Sequence, residues 1–315
     1  MHLRTSPLRA HARRTVAAVL GLSVLLAAGV APVAAYDPDI FEHEPTPSPQ
    51  PTPQPQLPEI RREPAPPTAP PPAPTPRPAP TPRASAPDPV GIDVSWPQCN
   101  DDLPESFGFA IVGVNRGRTF SENDCLAAQL EWAGPDADLY LNTGNPGPDH
   151  SRFWPSGQSD PITCDARDQD SLECAYLYGW NSAADGYARV LAAHVSLGWA
   201  DSDDERVESD ATWWLDVETA NSWRGDRSLN VAALHGAVDF LESVDVGGVG
   251  FYSTPLLWWR VTHGTDDFSE YPSWHAGARN RADAEERCER PGFTGGELHM
   301  VQWIEDGLDR NIRCG

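Results

Sequence analysis

Two carboxylates stand two positions apart in Trp214-Leu-Asp-Val-Glu218, at the end of an apolar run that holds two tryptophans. Residues i and i+2 of a strand point to the same side, so Asp216 and Glu218 are expected to share one. Neighbouring carboxylates repel, and one of such a pair keeps its proton near neutral pH. A general acid that protonates a glycosidic oxygen needs that property. A D-x-E triplet arises often by chance in so acidic a chain. Position singles this one out, because a solvated acid has little reason to end an apolar run. Asp93, near the end of Val90-Gly-Ile-Asp-Val94, and Asp309, after His299-Met-Val-Gln-Trp303, extend the set to four.

Other chemistries lack their residues. No C-x-x-C pair or H-E-x-x-H stretch supports zinc, and His150, His194, His235, His263, His275 and His299 show no ligand spacing. Ser95 and Ser253 lie in no G-x-S-x-G elbow. Neither a G-x-G-x-x-G nor a G-x-x-x-x-G-K-S/T motif occurs, so no nucleotide is expected. No metal or cofactor is expected either. The net charge is −23, and the chain has no lysine. Residues 90–315 hold 39 acidic against 15 basic residues. That balance argues against binding nucleic acid and against a basic patch for anionic lipid.

The elements that must position these acids read as short apolar runs between helical stretches. Strands are expected at Val90–Val94, Phe109–Val114, Asp138–Asn142, Thr212–Val217, Gly248–Ser253, Ser273–Ala276 and His299–Trp303. Helices are expected from Ser121, as N-cap, to about Trp132; over Leu172–Leu197; and after Asn230 as N-cap. Seven strands alternating with helices predict an α/β fold, an irregular TIM-like (β/α) barrel. An open doubly wound sheet is the alternative. In a parallel barrel the C-terminal strand ends form the face where active sites are built, and Asp93, Asp216 and Glu218 stand at such ends.

Residues 1–35 have the three parts of a secretory signal: arginines without acids, an apolar stretch over Val16–Ala31, and Val33-Ala-Ala35 before cleavage. A retained signal anchor is the alternative, and the membrane is a partner only in that case. Residues 36–89 hold 21 of the 33 prolines and too few bulky apolar side chains to fold. They read as a disordered stalk or leader in polyproline II, ahead of one domain at 90–315 that is expected to be monomeric. Cys99, Cys125, Cys164, Cys174, Cys288 and Cys314 all fall in that domain, as disulfides would in an exported protein. Six cysteines allow 15 connectivities; pairing of sequence neighbours, 99–125, 164–174 and 288–314, is the favoured one.

All 12 tryptophans lie between residues 96 and 303. Trp96, Trp154, Trp223, Trp258, Trp259 and Trp303 fall at strand ends and loops, where a ring could stack on a sugar. Core packing is the alternative. Trp96 and Trp303 are the chosen ligand contacts, because each flanks a carboxylate strand.

Gly91-Ile-Asp-Val-Ser95 with Gln98 resembles the opening of glycoside hydrolase family 25, the muramidases related to the Chalaropsis lysozyme. Phe109 to Val114, with Phe120, Asn123 and Ala127, resembles its second strand and following helix. Leu215-Asp-Val-Glu218 resembles its catalytic strand; Gly250-Phe-Tyr-Ser253 and Gln302-Trp303, followed by Asp309, resemble its later strands. The resemblance spans nearly all of residues 90–309. It implies an irregular α/β barrel that cleaves the β-1,4 bond after N-acetylmuramic acid in cell-wall peptidoglycan. Glu218 would be the general acid. Asp216 would stabilise developing positive charge or orient the substrate's acetamido group, and Asp93 and Asp309 would complete the set. Tyr252 and Gln302 join Trp96 and Trp303 as expected substrate contacts. The chain departs from the family where a K-A-T-E-G-like stretch is replaced by Gly113-Val-Asn-Arg-Gly117, and a Tyr-His pair by Tyr140-Leu-Asn-Thr. It also carries a long insertion over Pro146–Asp170. A catalytically silent barrel that binds wall or surface carbohydrate is the competing reading.

Overall fold

A computed structural model of the protein describes residues 90–201, 207 and 210–315; the expected signal and proline-rich segments lie outside the described residues. Eight strands close into a barrel in chain order. They are β1 (Val90–Val94), β2 (Ala110–Gly113), β3 (Asp138–Asn142), β4 (Thr212–Asp216), β5 (Gly248–Ser253), β6 (Ser273–Ala278), β7 (Leu298–Glu305) and β8 (Leu308–Arg313). Neighbours from β1 to β7 pair parallel, and β8 runs antiparallel to both β7 and β1. Closure excludes the open sheet. It also corrects the count of seven strands and the reading of Asp309 as a residue after the last one, because Asp309 sits inside β8. The four polar or charged residues in Leu308-Asp-Arg-Asn-Ile-Arg313 hid this strand. Its signal was Asp306-Gly307, whose φ values of 54° and 79° make the two-residue turn that suits a tight hairpin.

Among the described residues, five α-helices fill connections, α1 (Leu126–Ala133), α2 (Leu172–Leu197), α3 (Arg227–Ser243), α4 (Pro255–Thr262) and α5 (Arg281–Arg287), with a 3-10 turn at Trp96–Gln98. Ser121 does not cap α1. Its hydroxyl donates to Arg118 O and accepts from Arg116 N, closing a loop on itself. Asn230 does not cap α3 either. Asp226 is the N-cap, with its side chain accepting from Ser228 N, while buried Asn230 donates to Arg224 O and Val261 O. Sequence reading missed α4 and α5, although Thr254-Pro255 and Asn280 are ordinary helix-start residues that do cap them.

Alternate residues of each strand divide the barrel. Ile92, Val112, Leu139, Trp213, Leu215 and Phe251 face the helices in the main core. Ile111, Trp214, Trp274 and Met300 fill the interior, with Phe109, Tyr140 and Tyr252 packed against them. Two glycines make room for large rings. A Cβ on Gly250 would fall 2.5 Å from the Trp214 ring, and one on Gly113 would fall 2.6 Å from the Tyr140 ring. These side chains fill the barrel interior as an aromatic plug.

The cysteines form three disulfides, Cys99–Cys125, Cys164–Cys174 and Cys288–Cys314. The second ties the insertion to the first turn of α2. Among the described residues, no helix is long and apolar enough to cross a membrane.

Candidate active site

The mouth holds a cavity of ≈230 Å³ lined by Asp93, Asp216, Glu218 and Asp309 together with Trp96, Tyr140, Asn142, Tyr252, Trp274 and Gln302. The fold thus brings all four acids together. Each arrives for a local reason. Asp93 and Asp309 are register partners across β1 and β8. Asp216 ends β4, between Asn142 of β3 and Tyr252 of β5 in one row across the sheet. Glu218 lies just beyond, in the loop that leads to α3, and its carbonyl accepts from Trp223 Nε1 at 2.8 Å.

Asp93 is buried and held by two amides. Its Oδ2 accepts from Gln302 Nε2 at 3.0 Å and from Asn311 Nδ2 at 2.6 Å. Both amides are themselves oriented: Tyr252 OH donates to Gln302 Oε1 at 3.0 Å, and Trp274 Nε1 donates to Asn311 Oδ1 at 2.9 Å. Gln302 and Asn311 are register partners on β7 and β8. Burial is the largest influence on Asp93 and lifts its pKa to about 7; the charge of Asp309 adds to the rise, and the two amide bonds oppose it.

Asp216 is equally buried. Asn142 Nδ2 donates to its Oδ2, and its Oδ1 is buried without a protein partner. Burial, then Glu218, then Asp93 raise its pKa well above the usual carboxylate range. Glu218 is half-buried. Burial raises its pKa first, and the charge of Asp309 second. Within the D-x-E pair it is thus Asp216 that is raised by its neighbour, while Glu218 is raised by Asp309. Burial also raises Asp309.

The predicted substrate contacts divide. Trp96 is 40% exposed on the cleft rim, with the Arg116 guanidinium 5.2 Å from its ring centroid. Tyr252 and Gln302 line the cleft, but their polar groups bond one another and Asp93. Trp303 does not reach the cleft. It is 1% exposed and packs outside the barrel with Ala278, Ala284 and Leu298. It follows Gln302 in sequence, and adjacent strand residues face opposite sides; the flanking position that recommended it is what turns it away. Trp274 takes the interior place instead. Sequence reasoning also missed Tyr140, Asn142 and Asn311. Of these, Tyr140 and Asn142 had a signal, since both lie in Tyr140-Leu-Asn-Thr, one of the stretches that depart from the resembled family. Asn115, in the other departure, clamps the Asn142 peptide through bonds to its N and O at 3.1 and 3.0 Å. Among the described residues, no group of three or more His, Cys, Asp or Glu side chains could hold a metal ion.

No protein-family model matches the sequence, and no curated protein matches it. Among solved structures, the chain is similar to a muramidase from Trichobolus zukalii, with 14% identity over 72% of this chain and 93% of that one, at a TM-score of 0.43. It is similar to a lysozyme from Streptomyces coelicolor, with 17% identity over 72% and 92% of the two chains and a TM-score of 0.40. It is also similar to a family GH25 lysozyme from Aspergillus fumigatus, with 15% identity over 71% and 93% and a TM-score of 0.43.

Proposed function

We propose that this protein is an exported glycoside hydrolase that cleaves cell-wall glycan in the manner of a muramidase. The observation that carries this reading is the gathering of four carboxylates, all with raised pKa, in one cleft at the C-terminal mouth of a closed barrel. Glu218 is the general acid. Like Asp309 it is half-buried, and it stands just past the end of β4, holding its proton to higher pH than a solvated acid while within reach of solvent and substrate. Proton transfer to the glycosidic oxygen lets the bond break, and positive charge develops at the sugar's anomeric carbon. Asp309 and Asp93 stabilise that charge, which by attraction of opposite charges favours their ionised forms as it develops. Asp216, fixed by Asn142 through one oxygen, has its other oxygen left to bond the acetamido group of the sugar. Trp96 offers an exposed ring for the apolar face of a sugar, with Tyr252 and Trp274 beneath. The side chains supply the acid and the countercharge, so the reaction requires no metal or cofactor.

Three disulfides fit a protein that works outside the cell. In this reading residues 1–35 direct export and 36–89 space the barrel from its point of emergence. One observation favours the silent alternative: the Asn142 amide already occupies one oxygen of Asp216. Release of reducing ends from purified wall glycans, by wild type and by Glu218→Gln, separates the two.

A further inference from the structure

A second cavity, of ≈560 Å³, lies beside the carboxylate cleft. Three chain segments run from one to the other. Gly117 lines the cleft and its neighbours Arg116 and Arg118 line the second cavity; Asn142 is followed by Thr143 and Gly144; Glu218 is followed by Asn221 and Ser222. The outer wall comes from the insertion, through His150, Arg152 and Phe153. The charges on this lining are unusual for the molecule. Three arginines, Arg116, Arg118 and Arg152, face two carboxylates, Glu122 and Asp124. Each carboxylate is already held, Glu122 by Arg189 at 3.5 Å and Asp124 by Arg116 at 3.4 Å. Among the described residues, Arg118 and Arg152 have no carboxylate within 4.0 Å. They are exposed and unneutralised in a domain where acids outnumber bases 39 to 15.

The floor beneath them is aromatic. The Arg152 guanidinium lies 4.7 Å from the Phe153 ring centroid, Phe153 stacks on Phe120 at 4.5 Å, and Phe120 meets the edge of Tyr178 at 5.3 Å. Tyr178 and Thr119 share a hydroxyl hydrogen bond of 2.8 Å. Guanidinium groups fork onto carboxylate and phosphate oxygens. A strongly negative domain otherwise repels an anionic polymer.

We propose that this cavity is an anion-binding subsite, which takes a carboxylate or phosphate group carried by the same glycan whose sugar lies in the cleft. The proposal rests on the reading of that cleft as a glycan site. Arg118 and Arg152 hold the anion, and the aromatic floor supports the group that bears it. The insertion and its disulfide to α2 keep Arg152 over the cavity.

The test uses the full chain carrying Glu218→Gln, so that binding is read without turnover. Calorimetry measures Kd for three soluble tetrasaccharides: an uncharged N-acetylglucosamine oligomer, one bearing lactyl carboxylates, and one bearing a phosphate monoester. Adding Arg118→Gln and Arg152→Gln should weaken binding of at least one anionic oligomer by about tenfold or more and leave the uncharged one unchanged. The arm that responds identifies the anion. The corresponding Lys pair, which keeps the charge, should recover part of the loss, and an unchanged melting temperature shows that both variants fold. Equal loss on all three glycans, or loss on neither anionic glycan, overturns the subsite. Wild type that hydrolyses no glycan overturns the hydrolase reading alone, since these Kd differences stand without turnover.

Discussion

Asp93 on β1 and Asp309 on β8 are direct cross-strand partners in the antiparallel closure of the barrel. Burial disfavours a charge on Asp93 and the like charge of its partner adds to that, so Asp93 holds a proton up to about pH 7. A strand reversed in direction thus brings a fourth acid to a mouth that the parallel strands alone would furnish with three.

This relationship predicts how stability depends on pH. The folded pKa of Asp93 is raised from 3.8 to about 7, so the folded state binds more protons than the unfolded one between those values. Its contribution is fully present below about pH 4 and is lost as pH rises towards 7. Asp216, Glu218 and Asp309 shift in the same direction. Asp93→Asn should therefore flatten part of the fall in melting temperature over this window, a gain on the order of a few kcal/mol at pH 8. An unchanged slope in a melting series from pH 4 to 8 would contradict the shift.

Trp96 and Trp303, equal candidates by sequence, should separate on mutation. Trp303→Ala removes a fully buried ring from the contact between α5 and β7 and should destabilise by about 3–5 kcal/mol. Trp96→Ala should change stability by less than about 1 kcal/mol and weaken glycan binding. Denaturant melts and glycan titration of both variants check this; a binding defect in folded Trp303→Phe would restore it as a contact.

With all six cysteines paired, the exported protein should show no free thiol. Alkylation without reductant, followed by mass spectrometry, should label none, and two or more labelled positions would break the three-bridge arrangement.

What was legible followed from packing. Continuous apolar runs had to be buried strands, and β1, β3 and β5 begin and end where those runs do. The 26 residues of α2 carry helical spacing throughout. What was hidden depends on register. Asn311 has no mark in sequence, yet pairing beside Gln302 aims its amide at Asp93. Asn142 reaches Asp216 only because β3 and β4 align those two positions. Trp274 enters the cleft while Trp303 leaves it, a choice made by strand pleat and by the irregular β6–β7 pairing. Side-chain type announced the acids; the amides that orient them are set by cross-strand geometry.

The central claim is that Glu218 donates the proton to the leaving sugar. The measurement that tests it most directly is the rate of reducing-end release from a purified wall glycan by wild type and by Glu218→Gln, with folding checked by melting temperature. The substitution keeps the side chain's shape and removes its acid. The rate should fall by about 10²–10⁴-fold, with the fold retained. A glycan degraded equally fast by both proteins would show that Glu218 is not the acid.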